Sequence, residues 1–233
     1  MNPPLRLDFY LSHVTDLARK ASKIAASKGR VTVNGEIIKK ANHTVQETDV
    51  ICLDGERLAW PSEGYYLLHK PVGYVCATED AEHPIVVDLL PSHLGQSLKV
   101  VGRLDKDTTG LLLLTTDGQW LHRITSPKKA CNKRYRMTLV DNIDDAALEQ
   151  LEKGVLLNGE SQLTLPAVAE RISQNEIFLT IQEGKYHQVK RMLAAVGNKV
   201  AQLHRDQIGD LVLDDALAPG EFRALTEDEV GYF

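Results

Sequence analysis

The chain has few cysteines and no long apolar stretch. Its three cysteines, Cys52, Cys76 and Cys131, include no Cys-x-x-Cys pair and no histidine partner at metal-ligand spacing. We therefore expect reduced thiols, no metal site and a cytoplasmic location. The longest apolar runs are only four or five residues, whereas a membrane-spanning helix needs about 20. The first residues also lack the apolar core of a signal peptide, so we expect no membrane association.

The sequence also lacks the glycine-rich loops that hold phosphate groups or dinucleotides. Without such a loop or a metal-ligand cluster, it gives no indication of a cofactor. Its 233 residues are 43% hydrophobic, which is ordinary for a globular protein with one large domain or two smaller ones.

The net charge of −5 hides two basic regions. Residues 1–40 carry eight lysines and arginines against three acidic residues, and residues 128–136 carry five basic residues and no acidic one. Local patches, rather than the overall charge, determine where a protein attracts phosphate. Each patch is also compatible with an ordinary solvated face.

The first 60 residues have the pattern of a separate module. Apolar residues recur at helical spacing over 7–14 and 16–27, and Gly29 is expected to end the second helix. Two short β-branched runs then flank Asn34-Gly35, a strong hairpin signal. The turn-rich stretch 54–64 follows as a linker.

Strand and helix patterns alternate irregularly after the linker. We predict strands over 65–68, 111–114, 134–140 and 177–181, and helices that open near 141–145 and near 187. The acidic residues of 141–145 suit a helix N-terminus better than a metal site.

A carboxylate and an arginine lie between two glycines in the segment 102–110. Asp105 follows Arg103 by two residues, and the apolar run 111–114 that comes next has the pattern of a buried strand. Asp105 should therefore lie on a loop held by a rigid element. The cation could hold a phosphate or a ribose hydroxyl within reach of the carboxylate. A solvated turn of mutually paired charges explains the same spacing.

Several segments together resemble the RNA pseudouridine synthases of the branch named after the small-subunit enzyme RsuA. Residues 102–111 are similar to the catalytic motif of that family. Residues 69–74 are similar to its Asn-Lys-Pro-x-Gly motif, with His69 in place of asparagine. The resemblance continues in order through residues 133–135, 183–192, 203–209 and 217–223. Residues 1–60 resemble the small RNA-binding module named after ribosomal protein S-four.

The resemblance implies an α+β fold with two domains. Residues 1–60 would form the S-four-like RNA-binding domain. Residues 61–233 would form the catalytic domain, with a mixed, largely antiparallel sheet and a central cleft. The implied reaction breaks the bond between ribose and uracil nitrogen, rotates the base and rejoins it through carbon 5. That isomerisation involves no net oxidation or reduction and needs no cofactor.

The resemblance also implies roles for individual residues. Asp105 would be the essential carboxylate, acting on the ribose carbon, on the base ring or as a base at the sugar. Tyr135 would stack on the uracil and could serve in proton transfer. Lys190 would pair with Asp105, and Arg191 is its rival, because successive helical residues point about 100° apart and only one can face the cleft well.

Further residues are expected to contact RNA. Arg103 would help to extrude the target nucleotide from its helix or hold its phosphate. The other expected contacts are Lys20, Lys23, Arg30, Lys133, Arg134, His187, Gln188 and Arg191.

The predicted function is therefore formation of pseudouridine in ribosomal RNA, with small-subunit RNA preferred. The partner would be that RNA or a small-subunit assembly intermediate, and we expect a monomer. The alternatives are a sister enzyme for large-subunit RNA and a noncatalytic RNA-binding or assembly factor. A nucleoside or glycoside hydrolase is a third, but it calls for paired catalytic carboxylates, and Asp107 is no clear second one.

Overall fold

The described part of the chain forms two compact units. A computed structural model of the protein describes residues 4–60, 63–77, 79–95, 97–126 and 131–233. One unit lies within residues 1–63 and 90–98, and the other within residues 64–89 and 99–233. None of the helices in the described ranges is long and apolar enough to cross a membrane.

The first unit combines short helices with short antiparallel strands. In chain order its elements are β1 (Leu5–Arg6), α1 (Leu7–Val14), α2 (Arg19–Ser27), β2 (Val31–Val33), β3 (Glu36–Ile37), β4 (Thr44–Val45), β5 (Ile51–Leu53), β6 (Glu56–Arg57) and α3 (Ser92–Gly95). Strand β1 pairs with β4, and the order β3-β2-β5-β6 forms a second sheet. Its core buries Leu7, Tyr10 and Leu11 of α1 against Val31 and Ile51.

The predicted hairpin is present, and one predicted helix begins later than expected. Asn34 and Gly35 adopt positive φ angles of 52° and 84° between β2 and β3, as a type I′ turn requires. Helix α2 starts at Arg19 rather than near residue 16. The hydroxyl of Thr15 accepts a hydrogen bond from the backbone N–H of Leu17 at 3.2 Å. That local bond competes with helical pairing and keeps the chain extended before the helix.

The second unit is built on one large sheet. In chain order its elements are β7 (Tyr65–Lys70), a 3-10 turn (Val86–Leu89), β8 (Lys99–Val101), β9 (Thr109–Thr115), α4 (Gly118–Thr125), β10 (Lys133–Leu139), α5 (Asp145–Lys153), β11 (Val168–Arg171), β12 (Glu176–Ile181), α6 (Gln188–Ala195), β13 (Val200–Ile208), β14 (Leu211–Val212), β15 (Phe222–Ala224) and α7 (Glu227–Val230). The helix predicted to open near 141–145 is α5, with Asp144 as its N-cap and Gly154 after its end.

The sheet is mixed and largely antiparallel, as predicted. Its main path runs β11-β12-β10-β13-β9-β7-β15, with β14 added to β13 and β8 added to β9. Only the β9–β13 pair is parallel among the described strands. Leu111, Leu112, Leu113 and Leu114 of β9 are fully buried, because this strand has neighbours on both sides and packing on both faces. The loop before β9 therefore ends at a fully buried strand.

Candidate active site

Asp105 lies on the loop 102–108 that joins β8 to β9. The loop leaves β8 at Gly102, whose φ of +73° favours glycine. Leu104 points inward, and its N–H lies 3.4 Å from the Cys76 sulfur. The loop closes when the N–H of Thr108 donates to the carbonyl of Asp105 at 3.1 Å. The Asp105 side chain keeps 30% exposure. The loop next to the buried strand β9 therefore presents an accessible carboxylate.

A fully buried lysine holds this loop from beneath. Lys70, at the end of β7, donates from Nζ to the carbonyls of Thr108 at 2.8 Å, Pro71 at 3.0 Å and Lys106 at 3.4 Å. An ammonium group has three donors, and each of them has an acceptor here. Burial lowers the pKa of Lys70. Two of the three bonds go to the loop that carries Asp105, so the lysine fixes where that carboxylate stands.

Lys190 on α6 joins the two carboxylates of the loop. Its Nζ lies 2.9 Å from Asp105 and 2.6 Å from Asp107. Burial alone would lower the pKa of Lys190, but its hydrogen bonds to Asp107 and Asp105 outweigh burial and raise that pKa. The hydrogen bond from Lys190 lowers the pKa of Asp107. His187 Nε2 lies 3.4 Å from the second oxygen of Asp105, so two basic side chains flank this carboxylate.

Arg191 points away from Asp105. Its guanidinium donates to the carbonyls of Asn158 at 2.7 Å and Tyr186 at 3.1 Å and pairs with Glu160 at 3.3 Å. The helical turn thus directs Lys190 to the loop and its neighbour to the other side. Of the two rival bases, the structure brings only Lys190 to Asp105.

Gln188 and His187 shape the start of α6. Gln188 is buried, accepts from the N–H of Lys185 at 2.9 Å and donates to Glu183 at 2.8 Å. These bonds hold the chain that precedes the helix. His187 adopts a left-handed backbone with φ of 48°, and its ring stacks on the exposed ring of Tyr186 at 3.8 Å. Gln188 therefore fixes the segment that precedes α6, whereas His187 faces the Asp105 carboxylate.

The strands β10 and β13 supply further residues of the same site. Tyr135 is 8% exposed and pairs in register with Arg205, whose guanidinium carbon lies 6.0 Å from the tyrosine ring centre. Lys133 lies two residues earlier on the same face of β10. Burial lowers the pKa of Lys133. Arg134 points to the other face, where it pairs with Asp206 at 2.8 Å and lies 4.7 Å above the Phe178 ring.

These groups line one cleft of about 870 Å³, which is within the usual range for ligand sites. Residues that line it include Arg103, Asp105, Thr108, Lys133, Tyr135, His187, Gln188, Lys190 and Arg205. Arg103 is exposed at its edge and makes no ion pair within the described part of the chain. The sequence alternative of a self-paired turn is therefore wrong for Asp105, whose partners are Lys190 of α6 and His187 just before that helix. In the described ranges no three histidine, cysteine or carboxylate side chains group closely enough to hold a metal ion.

Comparison with known proteins gives concordant results. The family model described as RNA pseudouridylate synthase matches residues 64–195, and the S4 domain model matches residues 5–51. Ribosomal small subunit pseudouridine synthase A of Pasteurella multocida is 48% identical over 230 residues, which cover 98% of this chain and 99% of the relative. Its namesake in Escherichia coli strain K12 is 47% identical, with coverage of 97% and 98%. A solved structure described as pseudouridylate synthase has a TM-score of 0.72 and 44% identity over 98% of this chain and 99% of that one.

The chain belongs to the RNA pseudouridine synthase family. The similarity extends over both units and confirms the predicted RsuA branch and the α+β fold with an S4 domain. As a pseudouridine synthase, the protein is an isomerase that acts on RNA. The alternatives of a hydrolase and of a noncatalytic binding factor are not favoured.

In this synthase the three basic residues predicted for the first unit are all on its surface. Lys20 and Lys23 lie on α2, and Arg30 precedes β2. Lys23 lies 3.9 Å from the buried Asp8, and Arg30 pairs with Asp54. Of the second basic region, Lys128 and Lys129 lie outside the described residues. The S4 domain thus presents an exposed basic helix, although two of the three cations also have an acidic neighbour.

Sequence reasoning missed three polar residues of the synthase site. Lys70 follows the apolar strand pattern 65–68 and ends β7, and a lysine at such a position is fully buried only when it is paired. Thr108 and Arg205 line the cleft although both are almost fully buried. Arg205 occupies an inward position of the long strand β13. That alternation of apolar and polar residues is the sequence signal that predicts its burial. Its neighbours could not be inferred, because the parallel β9–β13 pair joins segments nearly a hundred residues apart.

Proposed function

We propose that the protein converts uridine to pseudouridine in the RNA of the ribosomal small subunit, with Asp105 as the essential carboxylate. The observation that carries this proposal is the accessible Asp105 carboxylate, held 2.9 Å from Lys190 in a cleft that Tyr135 also lines. The substrate class is supported by the names of relatives that are 47–48% identical over nearly the whole chain.

Three residues of the cleft have distinct roles in the proposed reaction. Asp105 acts on the ribose carbon, on the base ring or as a base at the sugar, and Lys190 keeps its charge balanced and its position fixed. Tyr135 supplies an aromatic face for the extruded base and a hydroxyl for proton transfer. Because the product is an isomer of the substrate, this chemistry draws on no cofactor.

RNA binding is assigned to two surfaces. Around the cleft, Arg103 assists extrusion of the nucleotide, and Lys133 and His187 contact the RNA. Gln188, Arg134 and Arg191 support those surfaces through their protein partners. In the S4 domain, Lys20, Lys23 and Arg30 contact phosphates and supply affinity that depends on salt.

We further propose that residues 1–60 and 61–233 act as the RNA-binding and catalytic domains. The protein would work in the cytoplasm as a monomer, on the RNA or on a small-subunit assembly intermediate. An experiment with purified protein tests the substrate. Small-subunit RNA, large-subunit RNA and their partly assembled particles are each incubated with the protein, and pseudouridine is mapped. Modification of one small-subunit uridine is expected, and modification confined to large-subunit RNA would contradict the proposal.

A further inference from the structure

Arg205 is a buried cation without an acidic partner. The residue is 2% exposed, and no carboxylate among the described residues forms an ion pair with it. The adjacent Asp206 is already paired with Arg134 at 2.8 Å. The Nε of Arg205 donates to the carbonyl of Leu111 at 2.9 Å, but its Nη2 is buried and has no hydrogen-bond partner. Burying a charge without compensation is costly, so the exception calls for an explanation.

A second buried side-chain atom without a hydrogen-bond partner lies in the same cleft as Arg205. Thr108 Oγ1 and Arg205 Nη2 are the two side-chain polar atoms that are buried and unpartnered in the described part of the chain. Both residues line the cleft that holds Asp105 and Tyr135. Buried polar groups in proteins are nearly always paired. Two unpaired groups in one cleft indicate that a ligand supplies their partners.

The position of Arg205 favours a base over a phosphate. Its guanidinium carbon lies 6.0 Å from the centre of the Tyr135 ring, within reach of a uracil seated on that ring. The side chain is nearly inaccessible from outside, whereas RNA phosphates stay with the backbone when a base is extruded. The Nε bond to Leu111 also occupies one edge of the guanidinium, so the side-on two-point contact that suits phosphate is blocked.

We propose that Arg205 donates from Nη2 to a carbonyl oxygen of the target uracil and stabilises the negative charge that the base gains during isomerisation. The Thr108 hydroxyl provides a second contact to the same base. This assignment rests on the proposed function and adds a binding residue for the base to it.

The charge follows from the bonding changes. When the bond between ribose C1′ and uracil N1 breaks, its electron pair stays with the base, and the charge spreads over N1, O2 and O4. After rotation, C5 donates an electron pair to C1′. The hydrogen on C5 leaves as a proton, and N1 takes up a proton, so atoms and charge balance. A fixed, buried cation at a carbonyl oxygen stabilises this anion more than the neutral substrate.

The test combines a change in the protein with a change in one substrate atom. Arg205→Met is compared with wild type on RNA fragments in which the uridine that the wild type converts is replaced by 2-thiouridine or 4-thiouridine. Sulfur accepts hydrogen bonds more weakly than oxygen. Loss of a donor to developing charge should lower kcat by about 10²–10³-fold on normal RNA, with RNA affinity retained.

The expected result is coupling at one or both positions, because the rotation that exchanges N1 and C5 also exchanges O2 and O4. Replacing an oxygen that Nη2 contacts should slow the wild type at least tenfold more than Arg205→Met. Arg171→Met, a change on the edge strand β11, serves as the control and should match wild type on every substrate. Equal slowing of wild type and Arg205→Met at both positions would overturn the assignment. A wild type inactive on every RNA would overturn the proposed function and this assignment with it.

Thr108→Val keeps the test decisive if Arg205→Met does not fold. The variant removes a hydroxyl that has no partner, so thermal stability should be unchanged or higher. Its kcat should still fall by about 3–10-fold, the worth of one ordinary hydrogen bond. Unchanged kcat in a folded Thr108→Val protein would remove this residue from the base-binding site, and with it the paired-group argument for Arg205.

Discussion

Replacing Lys70 by methionine tests whether the buried ammonium group positions the catalytic loop. Methionine keeps a flexible apolar side chain but removes all three hydrogen-bond donors. The carbonyl of Lys106 retains the N–H of Gly73 at 2.8 Å, so the main losses are at Thr108 and Pro71, which Lys70 contacts at 2.8 and 3.0 Å.

The magnitude follows from two opposing terms. Each buried acceptor that loses its donor costs about 1–3 kcal/mol. The variant also no longer has to bury an ammonium group, which offsets part of that loss. We expect a net destabilisation of about 2 kcal/mol, equivalent to a lower melting temperature by about 4–8 °C. If the loop shifts by about 1 Å, turnover should fall by about 10²-fold.

The assay measures melting temperature and kcat for wild type, Lys70→Met and a control. Lys153→Met suits the control because Lys153 is 73% exposed on α5, and such a change should stay within about 0.5 kcal/mol of wild type. A Lys70→Met protein with wild-type stability and turnover would refute the argument that this lysine fixes Asp105.

Three further predictions concern the aromatic face, the S4 domain and the ion pairs. Tyr135→Phe should bind RNA normally while turnover falls by about 10²-fold; wild-type turnover would leave only a stacking role. Changing Lys20 and Lys23 together to alanine should reduce the slope of log affinity against log salt by roughly 1.4–1.8; an unchanged slope would exclude both from phosphate contact. In Lys190→Met, the pKa of Asp107 should rise, because the Lys190 hydrogen bond is the main cause of its lowering. A lowered carboxyl pKa stabilises the fold above about pH 4 and ceases to do so in acid. The stability deficit of Lys190→Met in urea unfolding should therefore shrink as the pH falls, and a constant deficit would contradict this.

Local signals account for most of the elements that could be predicted. The Asn34-Gly35 turn, the apolar run at 111–114 and the capping residue Asp144 each depend on neighbours a few positions away. Such local interactions can be predicted from the sequence. Helix α2 begins later than the periodic pattern predicts, because the backbone N–H of Leu17 donates to the Thr15 hydroxyl before the helix.

The geometry of the site depended on contacts over long sequence distances. Lys190 reaches a loop 83 residues away, and its preference over Arg191 follows from the helical phase of α6. Lys70 and Arg205 make their hydrogen bonds only when β7, β9 and β13 are adjacent in the sheet. Whether a polar side chain finds a partner is a property of the folded chain, so the unpaired Nη2 of Arg205 could not be predicted.

The central claim is that Asp105 carries the chemistry, and Asp105→Asn tests it most directly. Asparagine has nearly the same shape but no charge and little nucleophilicity, so folding and RNA affinity should persist. Asp107→Asn, which alters the neighbouring carboxylate of the same loop, is the matched control and should still form pseudouridine. Purified Asp105→Asn protein should bind small-subunit RNA. The treated RNA should contain no pseudouridine. Isomerisation at a near wild-type rate by that protein, free of contaminating synthase, would contradict the mechanism.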